Sequence, residues 1–263
     1  MYSLTTKESE FLSKLAEKGN SIITIEQAQA LWAPPERTPD ALYRLSLKGW
    51  LRRLERGVYL LIPLEAGPAR NWTENGWVIA HYLIEPAAIA YWSALQYWNM
   101  TEQIPQVIFV QTTRRKQPKE IAGMKFQFVT VVAKHFFGVA REQIGGKVIR
   151  VTDREKTLID CAARPDLSGG ILQLVQVLRG SKEHIHWERL DRYLERWGGG
   201  AVAKRLGYLA EVLEIPLPAK HLAAWQSQVS RGISPLEPGA GNQGPVVNRW
   251  QLRVNVPILE QDG

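Results

Sequence analysis

Apolar positions recur at helical spacing through residues 5–31. Phe11, Leu12 and Leu15 form the stripe of a first helix, opened by a capping box at Thr5 and Glu8 and stopped by Gly19-Asn20. Thr24 and Gln27 form a second capping box, with Ile23, Ala28 and Leu31 facing inward on a helix that Pro34-Pro35 breaks. Thr38-Pro39 reads as an N-cap followed by Pro at the first helical position. It predicts a third helix through Leu42 and Leu45 to a stop at Gly49. The pattern then changes. Residues 50–54 read as a strand, Glu55-Arg56-Gly57 as a tight turn, and residues 58–62 as the returning strand.

Beyond this hairpin, residues 64–71, with Gly67 and Pro68, predict a linker. Helices are expected at 73–83 and 91–99, and strands at 107–111, 125–132 and 147–151, forming one small mixed sheet. Thr152 and Glu155 make a third capping box ahead of Leu158, Ile159 and Ala162, and helices follow at 170–179, 187–197, 201–213 and 219–230. Residues 232–245 are rich in Gly and Pro and are expected to be extended and mobile. Trp250, Leu252, Val254 and Val256 then alternate with Gln251, Arg253 and Asn255, which predicts a half-buried strand ended by Pro257. The fold class is therefore α+β. An N-terminal winged helix-turn-helix (1–65) precedes a larger mixed α/β domain (66–231), and a crossing with a docked C-terminal strand (232–263) follows. A winged helix presents its third helix to the major groove and lays its wing along phosphates.

Charge sharpens this reading. Arg37, Arg44, Lys48, Arg52, Arg53 and Arg56 are opposed only by Asp40 and Glu55 between positions 37 and 56. On a helical wheel Leu42, Leu45 and Ser46 share the inward face, while Asp40, Tyr43, Arg44 and Leu47 point outward, Leu47 under the wing. Tyr43 and Arg44 are expected at base edges, and Arg37, Lys48, Arg52, Arg53 and Arg56 at phosphates. The alternative is a solvated basic face on a protein-binding domain. The 263-residue chain carries a net charge of +7, which favours an anionic partner. That charge is uneven: residues 1–65 hold 9 basic and 8 acidic residues, and 66–231 hold 22 and 15. A possible second basic patch is Arg114, Arg115, Lys116, Lys119 and Lys147.

Other chemistry is sparse. Asp153, Glu155 and Asp160 beside Lys156 could hold a metal and position phosphate, but the capping reading of Glu155 and Asp153 is the stronger one. The sequence has no phosphate-loop, nucleophile-elbow or H-E-x-x-H motif. The single cysteine, Cys161, excludes an internal disulfide and a four-cysteine zinc site. No metal, cofactor or enzymatic activity is expected. The longest apolar region, 78–95, is broken by His81, Glu85 and Pro86, so a cytoplasmic protein is expected. Two further readings are a metal-dependent nucleic-acid-processing enzyme using Asp153, Glu155 and Lys156, and a regulator sensing a ligand among Trp72, Trp77, Trp92 and Trp98.

Several segments taken together resemble the AbiEi family of antitoxins, the transcriptional-regulator half of type IV toxin–antitoxin systems. They are G-W-L-R-R-L-E-R-G-V-Y from Gly49 to Tyr59, A-Y-W-S-A-L from Ala90 leading into T-E-Q-I-P at Thr101, V-T-D-R-E-K-T-L-I-D from Val151, R-L-G-Y-L from Arg205, P-L-E-P from Pro235, and R-W-Q-L-R-V-N from Arg249. Glu237 stands where the family pattern has Asp. The resemblance implies a protein that binds an inverted repeat upstream of its own operon and represses it. It implies a second role, counteracting an AbiEii-like nucleotidyltransferase toxin without a stable complex, for which the second domain is needed. It carries no catalytic assignment.

Overall fold

In the computed structural model, which describes residues 3–258, the first capping box forms as expected. The Thr5 hydroxyl accepts from the Glu8 N–H, and the Glu8 carboxylate accepts from the Thr5 N–H, opening helix α1 (Thr6–Glu17). Phe11, Leu12 and Leu15 are its buried stripe. Ile22 and Ile23 are both buried and lie in a strand, β1 (Ile22–Thr24), which the sequence pattern does not announce. Thr24 then caps the short helix α2 (Ile25–Gln29). A 3-10 turn at Pro35–Arg37 runs directly into α3 (Thr38–Leu47), so Thr38 is not the N-cap: its N–H donates back to the Pro35 carbonyl and Arg37 takes that position. Strands β2 (Leu51–Glu55) and β3 (Val58–Leu61) form the hairpin, with Leu51 opposite Leu61 and a bulge between Arg53 and Glu55. Gly57 turns it at φ +79°. Strand β1 adds antiparallel to β3, giving the sheet order β1-β3-β2. Phe11, Leu15, Ile23, Trp32, Leu42, Leu45 and Leu51 pack into one core, with Phe11 edge-on to Trp32 at 5.2 Å.

The chain divides into two compact units, Met1–Glu85 with Pro118–Phe126, and Pro86–Gln117 with Gln127–Gly263. Helix α4 (Gly76–Leu83) closes the first part of the chain. Asn75 caps it and shortens the expected 73–83. Strand β4 (Ala88–Ile89), helix α5 (Tyr91–Tyr97), and strands β5 (Val107–Thr112), β6 (Lys119–Ile121), β7 (Met124–Thr130), β8 (Val139–Ile144) and β9 (Lys147–Thr152) follow. The strands form a sheet of order β6-β7-β5-β4-β9-β8, mixed because β4 runs parallel to β9 and antiparallel to β5. The expected strands 107–111, 125–132 and 147–151 all form in it, the second ending at Thr130. Strands β4, β6 and β8 were not anticipated. Strand β8 is exposed or half-buried along its length, so its sequence lacks an apolar alternation.

Helix α6 (Arg154–Ala163) is central to the second unit: Glu155 to Ala162 are all buried. Helices α5, α7 (Ile171–Ser181), α8 (Trp187–Trp197) and α9 (Gly200–Val212) pack against it, and α10 (Ala219–Ser227) packs on α8 and α9. The cap of α6 is Asp153, which accepts from the Lys156 N–H at 2.8 Å; Thr152, the expected cap, ends β9 and bonds Thr157 instead. The tail is ordered differently from the alternating strand its sequence predicts. Trp250 ends a 3-10 turn and Gln251 takes φ +47°, so only Leu252–Arg253 (β12) pairs, parallel to β10 (Ser234–Pro235) and antiparallel to β11 (Val246–Val247). Trp250 and Leu252 are nevertheless completely buried. Gly207 in α9 makes room for the indole, since a Cβ there would lie 2.2 Å from its ring. The crossing expected to be loose is held by Arg205, whose guanidinium donates to the carbonyls of Ala162, Pro235 and Leu236, and by Asn255, which bonds the backbone of Glu237 and Gly241. Glu237 itself accepts from the Ile171 N–H at the start of α7. Among the described residues no helix is long and apolar enough to cross a membrane.

Candidate nucleic-acid interface

Helix α3 buries Leu42 and Leu45 completely and turns Asp40, Tyr43, Arg44 and Leu47 outward, as its wheel requires. Tyr43 is 64% exposed and Leu47 63%, so the hairpin does not cover Leu47. Ser46 is half-buried and donates to the Leu42 carbonyl at 2.8 Å. The cations around this face are not equivalent. Lys48 Nζ lies 2.6 Å from the buried Glu8 carboxylate, and Arg44 Nε lies 3.6 Å from its other oxygen. Burial raises the Glu8 carboxyl, but hydrogen bonds from Lys48 and Thr5 outweigh it and hold the pKa below its ordinary value. Lys48 is thus committed inward, fixing α1 to the end of α3, whereas half of the Arg44 side chain remains exposed. Glu8 therefore has a second task that the capping box conceals in the sequence.

Arg37 precedes α3, and Arg52, Arg53 and Arg56 lie on the hairpin. Among the described residues no carboxylate pairs with any of the four. Arg37, Arg53 and Arg56 are exposed. Arg52 is half-buried and donates to the carbonyls of Trp72 at 2.8 Å and Arg70 at 3.3 Å; Arg53 Nε donates to the Glu55 carbonyl at 3.3 Å. Arg70, in the segment read as a linker, lays its guanidinium 3.4 Å from the centre of the Trp50 ring. An isolated arginine among Gly, Pro and Ala gives no sequence signal of that role.

The second basic group is only partly brought together. Arg114, Arg115 and Lys116 follow β5, and Lys116 Nζ sits 5.5 Å over the Phe128 ring. Because β4 is antiparallel to β5 and parallel to β9, the end of β5 and the start of β9 share one end of the sheet, placing Lys147 about 10 Å away laterally. Lys119 belongs to the first unit and pairs with Glu55 at 2.7 Å.

The carboxylates of α6 face inward. Asp153 caps the helix and accepts from Tyr193 Oη at 2.8 Å, and burial raises its pKa. Glu155 accepts from the His186 N–H at 2.7 Å and Arg189 at 3.2 Å, not from a cap. Lys156 and Asp160 form an ion pair with no exposed surface. The ammonium lies 5.1 Å from the rings of both Phe137 and Trp197, and Gln111 Nε2 donates to Asp160 at 3.0 Å. Burial raises the Asp160 pKa against the pull of Lys156. Gly138 permits this packing, since a Cβ would lie 2.7 Å from Lys156 Cβ. Among the described residues no group of three His, Cys, Asp or Glu could hold a metal. Of the tryptophans considered for a ligand, Trp72 and Trp77 belong to the first unit and Trp92 and Trp98 to the second, where Trp98 Nε1 donates to the Thr152 carbonyl.

The helices and hairpin just described coincide with a recognised sequence family. Residues 10–62 match the family described as transcriptional regulator, AbiEi antitoxin. That match runs from within α1 to the end of the hairpin and places a regulator signature on the segment with the outward basic face. Over 96% of its length the chain also superposes on 92% of the RV2827C protein from Mycobacterium tuberculosis, at a TM-score of 0.64 and 18% identity, a likeness of fold. No curated protein sequence matches significantly.

Proposed function

We propose that the first unit is a winged helix-turn-helix that reads duplex DNA, with α3 in the major groove and the β2–β3 hairpin as its wing. The observation that carries this is the outward face of α3. Tyr43 and Arg44 are exposed there, Arg37 precedes the helix, Arg53 and Arg56 lie on the hairpin, and among the described residues none of these three arginines has a carboxylate partner; all lie inside the segment that matches the AbiEi regulators. Tyr43 and Arg44 reach base edges; Arg37, Arg52, Arg53 and Arg56 neutralise phosphate, and Lys48 holds the helix in place from behind. The operator is an inverted repeat upstream of the gene, bound to repress its own operon.

The second role is that of an antitoxin, counteracting an AbiEii-like nucleotidyltransferase without a stable complex. The basic loop at Arg114, Arg115 and Lys116, together with Lys147, supports a nucleic-acid or nucleotide contact in the second unit. Two assays separate the roles. In gel shifts with DNA from upstream of the gene, Tyr43→Ala with Arg44→Ala should lose sequence preference, and adding Arg53→Ala and Arg56→Ala should weaken all duplexes alike. Wild-type affinity in the fourfold variant refutes the interface. In cells making the toxin, with this protein expressed from an unrelated promoter, the fourfold variant should still rescue, while charge reversal at Arg114, Arg115 and Lys116 should not. Rescue by the charge-reversed protein removes the second unit's patch from the antitoxin role.

A further inference from the structure

Arg70 is held in a way that a connecting segment does not require. Its backbone takes φ +52°, a left-handed conformation that non-glycine residues adopt rarely. Its stem lies over Gly49, where a Cβ would be in ordinary contact at 3.6 Å, and its guanidinium is stacked on Trp50. One terminal nitrogen, Nη1, is buried and has no hydrogen-bond partner among the described residues. Arg52 approaches the same place, its guanidinium donating to the Arg70 and Trp72 carbonyls. The two arginines, with Arg53, Ser46 and Gly49, line an open cleft of about 300 Å³ beside strand β2 and the end of α3. Among the described residues no carboxylate pairs with Arg52, Arg53 or Arg70.

Each arginine carries five N–H donors in a planar fork. Arg52 spends part of its fork on backbone carbonyls, and Arg53 spends only its Nε. A purely structural staple would satisfy Arg70 with the carbonyls around it, yet Arg52 takes those carbonyls and Arg70 keeps its donors. Contact with the indole face holds the guanidinium 3.4 Å from the ring centre without using any N–H. Uncompensated guanidiniums fixed around an open cleft form a seat for a tetrahedral oxyanion, since planar forks match phosphate oxygens.

We propose that Arg70, with Arg52 and Arg53, forms a phosphate seat for a DNA backbone phosphodiester, extending the interface past the hairpin into residues 68–72. This rests on the duplex-binding reading above and adds to it a contact outside the family-matched segment. The seat carries no base information, so it strengthens binding to every sequence equally.

The test uses the full chain, two short labelled duplexes, one taken from upstream of the gene and one of unrelated sequence, and fluorescence anisotropy over a series of NaCl concentrations. Arg70→Met keeps a stem over Gly49 and Trp50. Arg70→Gln keeps a planar group on the indole. Both remove the charge. Each lost phosphate contact should make the slope of log K against log salt shallower by about 0.9, by the same amount for both duplexes. A variant that melts with the wild type and keeps the wild-type slope overturns the seat; one folded variant of the two suffices. If the wild-type chain binds neither duplex, the DNA reading itself falls. Inorganic phosphate then becomes the probe. A rise in wild-type melting temperature that is absent in Arg70→Gln leaves the seat standing with free phosphate as its source. No rise in the wild type overturns the seat as well.

Discussion

Replacing Lys48 by Met removes the main counter-charge of Glu8 without touching the outward face of α3. The Glu8 side chain is 1% exposed and that of Lys48 16%, so their 2.6 Å contact lies largely out of water. A hydrogen bond between charged groups contributes about 1.5–3 kcal/mol net, and breaking a fully buried pair costs about 3–5 kcal/mol. The lower range applies here, because Lys48 keeps some contact with solvent and Glu8 retains Thr5 and the more distant Arg44. The expected loss is therefore about 1.5–3 kcal/mol at neutral pH. It should show in hydrogen exchange of the α1 amides under increasing denaturant, which reports this unit by itself. The pH dependence has a definite sign. The folded-state pKa of Glu8 lies below its ordinary value, so its contribution is complete above about pH 4.3 and is lost as pH falls through the lowered value. Wild type and Lys48→Met should therefore converge in acid. A difference below about 0.5 kcal/mol at neutral pH, the size of an ordinary surface substitution, refutes the reasoning, as does a difference that persists unchanged in acid.

Four further outcomes follow from the second unit. Gly207→Ala should destabilise by about 1–3 kcal/mol and shift the Trp250 fluorescence, because the added methyl would meet the indole; an unperturbed melt would show that α9 and the tail can separate freely. Asp153→Ala should cost about 0.5–2 kcal/mol in thermal or denaturant melts, and Glu155→Gln should lower stability through Arg189 and His186; loss of function with intact stability in Glu155→Gln would turn the argument toward catalysis. Lys156→Met should cost about 3–5 kcal/mol by leaving Asp160 buried and unpaired, and adding Asp160→Leu should restore much of it; equal stability of the single and double variants would contradict the pairing.

The first unit was readable where local chemistry repeats it. Two capping boxes, the Leu42–Leu45 stripe and Gly57 each announce an element that forms. Strand β1 was not readable, because three residues between a helix stop and a cap carry no period; its partner, β3, lies far along the chain. Thr38 misled as a cap because the Pro35 turn continues into the helix. Arg70 and Glu8 show the limit of reading charge along a sequence. One is an isolated cation whose stacking partner lies 20 positions earlier, and the other an acid whose partner lies 40 positions later. In the second unit, Lys156 and Asp160 sit four apart on a helix, the spacing of a surface pair, and only tertiary packing decides that they are enclosed.

Arg205 and Gly207 have a consequence for how the second unit is made. The ribosome delivers α6 and α9 well before Pro235, Leu236, Trp250 and Leu252, yet these late residues supply two of the three carbonyls Arg205 bonds and the indole that fills the space at Gly207. Until position 252 has emerged from the exit tunnel, a guanidinium and an indole-sized hollow face water. At synthesis rates of about 5–20 residues per second, that interval lasts seconds. A message broken after codon 231 would leave a polypeptide permanently in that state, with an apolar opening that chaperones and proteases recognise. The packing around Arg205 and Gly207 is thus complete only in a chain read through to Leu252.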